Sequence, residues 1–217
     1  VIQKGLNSQQ ALYQPYERFQ YSNLGLSLAG EVIAETSGKD YHSYISDNIL
    51  TPLGLTDTTS ELPTNEYGKS FAAGYRMRDA NGKRKEVGPY KTNGIAPAAG
   101  FASTANDLAK FASWQFRLRE NGGTEVLKNT TLKEMQRVQW ATQGGKGAVW
   151  GLGFALDTID GTSFVGHGGY CPGYRTSFMT KQDDKLAIIA MVNVNDVSPS
   201  NLAKGIHDLV AGAIKDA

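Results

Sequence analysis

Two short motifs carry side chains that could move protons and hold an acyl group. Tyr21-Ser22-Asn23 stands just before a helical pattern, and His167-Gly168-Gly169 lies between two strand-like segments. A phenol and an imidazole exchange protons, and glycines let a ligand come close to a strand edge. Acyl transfer also needs a nucleophile, and one source is a serine followed three residues later by lysine. No serine of the chain has lysine at that spacing, since Ser177–Lys181 and Ser200–Lys204 are each one residue too long.

Composition limits the classes of protein to which the chain can belong. With 217 residues, 40% hydrophobic and 20% charged, it has an ordinary globular composition and enough length for a sizeable core. Its net charge of +1 and its longest apolar run, residues 186–192, predict neither a nucleic-acid partner nor a membrane span. The single cysteine, Cys171, rules out an internal disulfide and leaves the compartment open. The first residue is Val, so we expect an upstream segment.

Apolar periodicity predicts helices in the first two thirds of the chain. Leu24, Leu28 and Val32 predict a helix that Asn23 caps and Gly38 ends. The same pattern predicts further helices over residues 41–50, 103–119 and 127–139.

The segment between these helices carries turn signals. Asn81-Gly82 between two short runs predicts a β-hairpin near residues 71–87, and residues 94–100 have the Gly/Pro/Ala composition of a loop. The basic cluster of the hairpin is either an anion-binding patch or a solvated tip. Asp79 and Glu86 dilute its charge and favour the tip.

From Trp150 onward the pattern is typical of strands. Residues 150–156, 163–165, 174–180 and 185–194 are the predicted strands, and Asp183-Asp184 suits a tight turn between the last two. The strands should therefore pair antiparallel. A C-terminal helix should follow and lie on the sheet with one apolar stripe: Leu202, Ile206, Val210 and Ile214.

Four segments resemble the serine β-lactamase and penicillin-binding-protein hydrolases, in particular the class C β-lactamase-like group with its esterase and D-aminopeptidase relatives. They are residues 19–25 (FQYSNLG), 49–55 (ILTPLGL), 97–108 (PAAGFASTANDL) and 166–174 (GHGGYCPGY). The first resembles the family's Tyr-x-Asn segment. The last resembles a strand motif that is Lys-Thr-Gly in β-lactamases and often His-x-Gly in esterases and peptidases. The order is kept over nearly the whole chain, but the N-terminal Ser-x-x-Lys part is lacking.

The resemblance implies catalytic roles for two residues. A phenol is a poor base at neutral pH, and a neighbouring ammonium, in the family the lysine of Ser-x-x-Lys, favours its phenolate. Tyr21 would then take the serine proton and return one to the leaving group. The backbone N–H of Tyr170 would be one donor of the oxyanion hole.

The resemblance also implies four substrate-binding residues. Asn23 would present its amide to the lysine or to the acyl side chain of the substrate. Gly168 and Gly169 would let the substrate lie along a strand edge. His167 stands where β-lactamases have lysine and would attract a substrate carboxylate in a pH-dependent way. This difference argues against β-lactam hydrolysis more than against acyl transfer in general.

The fold that the resemblance implies is α+β, β-lactamase-like. An antiparallel sheet flanked by helices would stand beside a mostly helical subdomain, and the N-terminal part would be missing. Residues 1–145 would hold the helical portion with the hairpin, and residues 146–217 the strands and the C-terminal helix. A sheet without its first strands exposes an edge, so we expect the missing N-terminal segment or a second copy to pair there.

Two functions remain open at this point. The chain is either a fragment of a serine hydrolase that forms an acyl-enzyme with an ester, a D-amino-acid peptide or a β-lactam, or a non-catalytic relative that binds a ligand or partner. In the first case this chain alone would be inactive for lack of a nucleophile, and neither case requires a cofactor or a metal. A thiol nucleophile, Cys171 beside His167, is a weaker alternative because no residue is evident that would orient the imidazole.

Overall fold

Helices fill the first half of the chain and flank a sheet in the second half. The computed structural model describes Gly5 and residues 10–141, 149–159 and 161–215. Residues 214 and 215 are described by their backbone alone. Its helices are α1 (Asn23–Ser37), α2 (Tyr41–Ile45, continued by a π-helical turn, Ser46–Leu50), α3 (Ala96–Ala99), α4 (Ala105–Asn121), α5 (Asn129–Met135) and α6 (Pro199–Lys215). Within the described residues, no helix has both the length and the apolar character to span a membrane.

The strands form two antiparallel sheets. The small hairpin consists of β1 (Tyr75–Arg78) and β2 (Arg84–Glu86), which confirms the predicted Asn-Gly turn. The main sheet contains, in spatial and chain order, β3 (Trp140–Ala141), β4 (Val149–Trp150), β5 (Ala155–Ile159), β6 (Thr162–Cys171), β7 (Tyr174–Lys181) and β8 (Leu186–Val192). In the part of the chain that the structure describes, β8 is the last strand of this sheet, and its residues 186–192 have no strand partner on the outer side. The residues that follow it, 193–195, are hydrogen-bonded to Tyr75 of β1.

Alternating side chains let the main sheet bury both of its faces. On one face, Phe164, Ile188 and Ala190 form a buried cluster with Ala203 of α6. On the other face, Phe178 of β7 meets Phe111 of α4, with ring centroids 6.0 Å apart. Burying a phenylalanine side chain stabilises a fold by roughly 2–3 kcal/mol, so this packing fixes the sheet between α4 and α6. The predicted α+β class is confirmed.

Two further apolar clusters hold the helical part together. Ile45 and Leu50 pack with Leu55 where α2 passes into the π-helical turn. Trp114 and Leu118 of α4 pack with Leu132 of α5, and all three are buried. The helical part therefore has a core of its own. The predicted subdomain boundary between residues 145 and 146 lies outside the described residues, so the division into subdomains stays a prediction.

Two predictions of local structure were wrong in the first hundred residues. Ser22, rather than Asn23, caps α1, because Ser22 has the extended backbone of a cap and its hydroxyl accepts the N–H of Gly25 at 3.0 Å. Residues 94–100 are not a loop, since a 3-10 turn and α3 lie there. Pro97 stands in the first turn of α3, where its fixed φ suits a helix and its missing N–H costs nothing.

The predicted stripe of α6 was wrong at two of its four positions, while Val210 is partly buried and the side chain of Ile214 lies outside the described residues. Leu202 and Ile206 are 46% and 44% exposed, whereas Ala203 is fully buried. His207 packs edge-on against Phe164, with ring centroids 5.1 Å apart. The helix thus packs on the sheet through the small side chain of Ala203, which lets the helix approach closely. The large apolar side chains of Leu202 and Ile206 stay exposed.

Candidate active site

Tyr21 and Asn23 are held at the start of α1. The Ser22 cap fixes the backbone between them, and Asn23 is the first helical residue. Tyr21 is 49% exposed, which is more than a packing residue needs. A tyrosine with its ring half in solvent at a helix start is free to present its hydroxyl to a ligand.

The His-Gly-Gly motif lies inside a long strand and not in a turn. β6 runs on through Cys171 and pairs with β7 in unbroken register from Val165↔Thr180 to Cys171↔Tyr174. Gly169 is close to β7, because a Cβ there would stand 2.4 Å from Oγ1 of Thr176, whereas a Cβ on Gly168 would meet the carbonyl oxygen of Thr176 at an ordinary 3.5 Å. A larger residue at position 169 therefore requires the Thr176 side chain to move.

One edge of β6 is free next to the motif. The pairing with β5 stops at Ala155↔Gly166, so residues 167–171 have β7 on one side only. N–H groups of an antiparallel strand point alternately to its two neighbours, and Cys171 and Tyr174 are the bonded pair that closes the turn. By this alternation the N–H groups of Gly168 and Tyr170 point to the free edge. An extended ligand could add to the strand there.

His167 has a defined tautomer. Its Nδ1 is within hydrogen-bond distance of the carbonyl oxygen of Gly168. A carbonyl only accepts hydrogen bonds, so Nδ1 must carry the proton, and Nε2 of the neutral ring is an acceptor. The ring consequently offers a lone pair when neutral and becomes a cation only when protonated.

Tyr21 and His167, far apart in sequence, meet in space. Their ring centroids are 6.1 Å apart, and Trp150 lies beside both, at 5.4 Å from Tyr21 and 5.5 Å from His167. Phe19 stacks on Trp150 at 5.3 Å and extends the aromatic group. The phenol and the free strand edge thus border a common space.

A single cavity contains all six residues that the sequence singles out. It has a volume of about 970 Å³ and is lined by Tyr21, Asn23, His167, Gly168, Gly169 and Tyr170, among others. The backbone of Tyr170 faces the strand edge, while its side chain is 69% exposed. The arrangement brings a phenol, a backbone N–H donor and a free strand edge to one place.

The cavity has two walls of different construction. We call β6 from His167 to Cys171, with its partner β7, the strand wall. We call Tyr21–Asn23 together with residues 99–103, which precede α4, the helical wall. Sequence patterns did not indicate residues 99–103 as part of the site. Their position depends on long-range contacts that no local pattern reveals: α3 packs on α1, where a Cβ on Gly30 would stand 2.3 Å from Pro97, and an isolated bridge joins Ala102 to Thr59.

A buried carboxylate supports the helical wall. Ser103 lines the cavity, and its hydroxyl lies 2.8 Å from that of Thr58, which in turn donates to Asp107 at 2.9 Å. Asp107 also accepts the N–H of Asp57 and the ammonium of Lys110. Burial by itself would raise the pKa of Asp107, but these hydrogen bonds and the Lys110 charge outweigh it and hold the pKa below its usual range.

The tip of the strand wall is fastened by Asn195. Its side chain accepts the N–H of Gly173 at 2.8 Å and donates to the carbonyl of Cys171 at 3.0 Å. Gly173 has φ +86°, and a Cβ there would stand 2.8 Å from Cα of Gly74 in the segment before β1. Position 173 of the turn therefore accepts only glycine. Tyr170 is adjacent in sequence to Cys171, whose carbonyl Asn195 holds.

Four other groups that could carry chemistry, a thiol, a second tyrosine, the basic cluster of the hairpin and possible metal ligands, lack the geometry or the ionisation that a reactive group needs. Cys171 and His167 are four residues apart on one strand, about 13 Å, so the imidazole cannot activate the thiol. Burial above all, and then the neighbouring Cys171, raise the pKa of Tyr90, so this cavity tyrosine stays protonated.

In the hairpin, Arg84 binds Asp196 at 2.8 Å, which agrees with a structural role for part of the basic cluster. Among the described residues, no group of three His, Cys, Asp or Glu could hold a metal.

The fold and the cavity define the class of protein. An antiparallel sheet between helices, with a free strand edge opposite a tyrosine, is the arrangement of the β-lactamase fold that the sequence motifs implied. The chain belongs to the beta-lactamase family, whose family model, described as Beta-lactamase, matches residues 2–213.

Individual relatives agree with this assignment. The chain is 27% identical over 193 residues to Beta-lactamase-like protein 2 of Dictyostelium discoideum, covering 87% of this chain and 33% of that protein. It is 24% identical over 185 residues to a D-aminopeptidase of Cereibacter sphaeroides, covering 83% and 33%. The octameric penicillin-binding protein homologue from Pyrococcus abyssi has a similar structure, with TM-score 0.79, 28% identity, and coverage of 93% of this chain and 44% of that one. The chain thus spans about a third of the length of the curated relatives that it matches.

Proposed function

We propose that the protein to which this chain belongs is a serine hydrolase that forms an acyl-enzyme with an ester, a D-amino-acid peptide or a β-lactam. The observation that carries the proposal is the meeting of Tyr21 with the free edge of β6 at one cavity. Acyl transfer needs a proton carrier and an oxyanion donor on either side of the reacting carbonyl, and we assign these roles to the phenol of Tyr21 and the N–H of Tyr170. Family membership supports the reaction class.

The reaction follows from the position of these groups. As the serine oxygen bonds to the acyl carbon, the phenolate of Tyr21 takes the serine proton, and the carbonyl electrons move to oxygen. The N–H of Tyr170 donates to this oxyanion, a contribution worth ~3 kcal/mol of barrier in comparable sites. When the tetrahedral species collapses, the bond to the leaving group breaks, and that group takes the proton from Tyr21. Water then repeats the sequence and releases the acid.

The nucleophile of this reaction has to come from a segment outside the chain, because none of its serines is followed by lysine at the required spacing. We therefore expect no covalent adduct when this chain is incubated with penicillin or a fluorophosphonate and its intact mass is measured. A serine adduct on this chain would overturn the assignment of the nucleophile.

Tyr21→Phe tests the proton carrier in a protein that includes a Ser-x-x-Lys segment. The rate of acylation by a chromogenic ester should fall about 10²–10⁴-fold, since general acid–base catalysis contributes that much. Tyr16→Phe is the matched control, because Tyr16 is 91% exposed and does not line the cavity. Equal acylation rates for Tyr21→Phe and the control would contradict the role of Tyr21.

The second candidate function is ligand or partner binding without catalysis. It is favoured by one observation: the cavity is present in a chain that has no Ser-x-x-Lys. The coding sequence upstream of Val1 distinguishes the two functions. Ser-x-x-Lys encoded there supports the hydrolase, and its absence supports the binding protein.

We also propose that the outer edge of β8 pairs with a further strand, from a companion N-terminal segment or from a second copy. β8 is apolar along its length (LAIIAMV) and, in the described part of the chain, has β7 as its only strand neighbour. Exposed edges of this kind associate with other strands. Light scattering of the purified chain should show a dimer or larger species at micromolar concentration, or a monomer that becomes a heterodimer when the upstream segment is added. A chain that stays monomeric under both conditions would refute the pairing.

A further inference from the structure

Ring contacts hold the side chain of Tyr21. In the described part of the chain its hydroxyl has no hydrogen-bond partner, while its ring centroid lies 5.4 Å from that of Trp150 and 6.1 Å from that of His167. The Ser22 cap fixes the backbone at the start of α1, but it leaves the two side-chain torsions of the tyrosine free to change. The place of the phenol in the cavity is therefore decided by the rings that pack against it.

Trp150 is the ring with the most firmly held backbone. Its strand β4 pairs with β3 on one side and with β5 on the other. Its carbonyl accepts the N–H of Gln139 at 2.7 Å, and the next residue, Gly151, donates to the carbonyl of Phe154 at 2.8 Å. Phe154 packs against the buried cluster of α4 and α5. The turn that follows Trp150 is thus tied to the core of the helical part, and the indole is attached to a fixed backbone.

The indole of Trp150 touches both walls of the cavity. Besides Tyr21 of the helical wall, it contacts His167 of the strand wall, with ring centroids 5.5 Å apart, and Phe19 stacks on it at 5.3 Å. Stacked and tilted ring pairs at such distances attract each other. His167 is fixed by the hydrogen bond between its Nδ1 and the carbonyl of Gly168. The indole therefore joins a fixed imidazole to a phenol that would otherwise be free to turn.

The ring of Trp150, and not its N–H group, makes these contacts. Among the described residues the buried Nε1–H has no hydrogen-bond acceptor. A buried donor without an acceptor costs free energy, so the N–H contributes nothing to the arrangement. Trp150 is also not one of the residues that line the cavity. Its effect on a ligand would therefore pass through Tyr21 and His167, and a phenylalanine ring should supply most of it.

We propose that Trp150 is a positioning residue that sets the place of the Tyr21 phenol relative to the free edge of β6. The inference rests on the proposed function, in which Tyr21 carries the proton and the N–H of Tyr170 binds the oxyanion. Both groups act on one carbonyl, and a misplacement of about 1 Å can slow such a step about 100-fold. A small side chain at position 150 would leave the phenol without its support.

The first test measures the ring geometry of this chain by NMR. Wild-type spectra should show nuclear Overhauser effects from the indole of Trp150 to both Tyr21 and His167, and between Tyr21 and His167. Trp150→Leu should remove the Tyr21–His167 effect, whereas Trp150→Phe should keep it. Trp140→Leu is the matched control, because Trp140 is a partly buried tryptophan directly opposite Trp150 in β3 and its ring is not one of the four that pack together.

The second test measures catalysis in a protein that includes a Ser-x-x-Lys segment. Trp150→Leu should lower the first-order rate constant of acylation about 10–100-fold and leave the dissociation constant of the substrate nearly unchanged, because a shifted proton carrier acts on the transition state. Trp150→Phe should restore most of the rate. The burst amplitude counts the folded active sites, so a loss of folded protein is separated from a slower reaction. Trp150→Met replaces Trp150→Leu if the latter does not unfold cooperatively in urea.

Three results would overturn the role of Trp150. They are a wild type without Overhauser effects from the indole, a Trp150→Leu variant that keeps the Tyr21–His167 effect and the acylation rate, and a Trp140→Leu control that loses both to the same extent. Failure of the proposed function gives a different result, because Tyr21→Phe would then acylate as fast as Tyr16→Phe. In that case the Overhauser effects would still decide whether Trp150 sets the geometry of the two rings.

Discussion

The two walls of the cavity are held in place by different forces. In the strand wall, backbone atoms are so close to β7 that a Cβ on Gly166 would stand 1.9 Å from the carbonyl oxygen of Phe178. In the helical wall, position depends on side-chain hydrogen bonds, from the Ser22 cap to the Ser103–Thr58–Asp107 chain. Backbone contact of this kind does not depend on pH, whereas hydrogen bonds to the Asp107 carboxylate weaken when the carboxylate is protonated. The two walls should therefore respond differently to mutation and to pH.

The largest effect is expected from Gly166→Ala, which breaks the strand wall. The added methyl group has no room beside Phe178, so β6 and β7 must separate. The free energy of unfolding in urea should fall by about 3 kcal/mol or more. Gly168→Ala is the control, because the nearest atom to its Cβ is the Thr176 oxygen at an ordinary 3.5 Å. Equal losses for both variants would show that close backbone contact does not hold this wall.

A smaller effect, and one that depends on pH, is expected from Asp107→Asn in the helical wall. The pKa of Asp107 is lowered in the folded state, so its contribution is complete above the unfolded pKa and is lost as pH falls through the folded pKa. At neutral pH the variant should be less stable by about 2 kcal/mol, because a buried charged hydrogen-bond partner is removed.

The difference in free energy of unfolding between wild type and Asp107→Asn should narrow in acid. Protonation of Asp107 removes its contribution from the wild type, whereas the variant lacks that contribution at every pH. Urea unfolding at a series of pH values measures it. Asp183→Asn, at an exposed position in the turn before β8, serves as the control and should follow the wild type. A difference that is constant with pH would mean that Asp107 acts by shape alone.

The smallest effect is expected from Ser22→Ala, which loosens the tyrosine end of the helical wall. Loss of the bond to the N–H of Gly25 should cost about 1 kcal/mol. Amide exchange of Gly25 should become faster, while exchange in β6 should not change. Ser37→Ala at the other end of α1 removes three long, exposed contacts of 3.3–3.5 Å and should be nearly neutral. Faster exchange in β6 as well would mean that the two walls are coupled.

Local signals in the sequence predicted those parts of the fold that depend on local chemistry. The Asn-Gly turn of the hairpin was predicted correctly, because the residues that form it are neighbours in the chain. The predicted stripe of α6 failed at Leu202 and Ile206, because helix periodicity does not show how closely a helix approaches the sheet. The small side chain of Ala203 allows the close approach and is the one buried there.

The site was predicted in part. The six candidate residues line one cavity, but their roles remain predictions, because geometry alone does not show which atoms react. Arg175, which also lines the cavity, was missed although a signal existed. Cys-Pro-Gly-Tyr at residues 171–174 is a hairpin turn, and its register puts Arg175 opposite Tyr170. Residues 99–103 could not be found in this way, since contacts between segments far apart in sequence, Gly30 with Pro97 and Thr59 with Ala102, position them.

The contact between Gly74 and Gly173 ties together two segments that are remote in sequence. A side chain at either position would displace the turn that holds Tyr170, so neither position can drift independently during evolution. A grafted hairpin or an inserted loop before β1 would first displace the backbone of Tyr170, the proposed oxyanion donor, without changing the other residues that line the cavity. Diversity among natural homologues should therefore collect at the solvated hairpin tip and be scarce at this glycine pair.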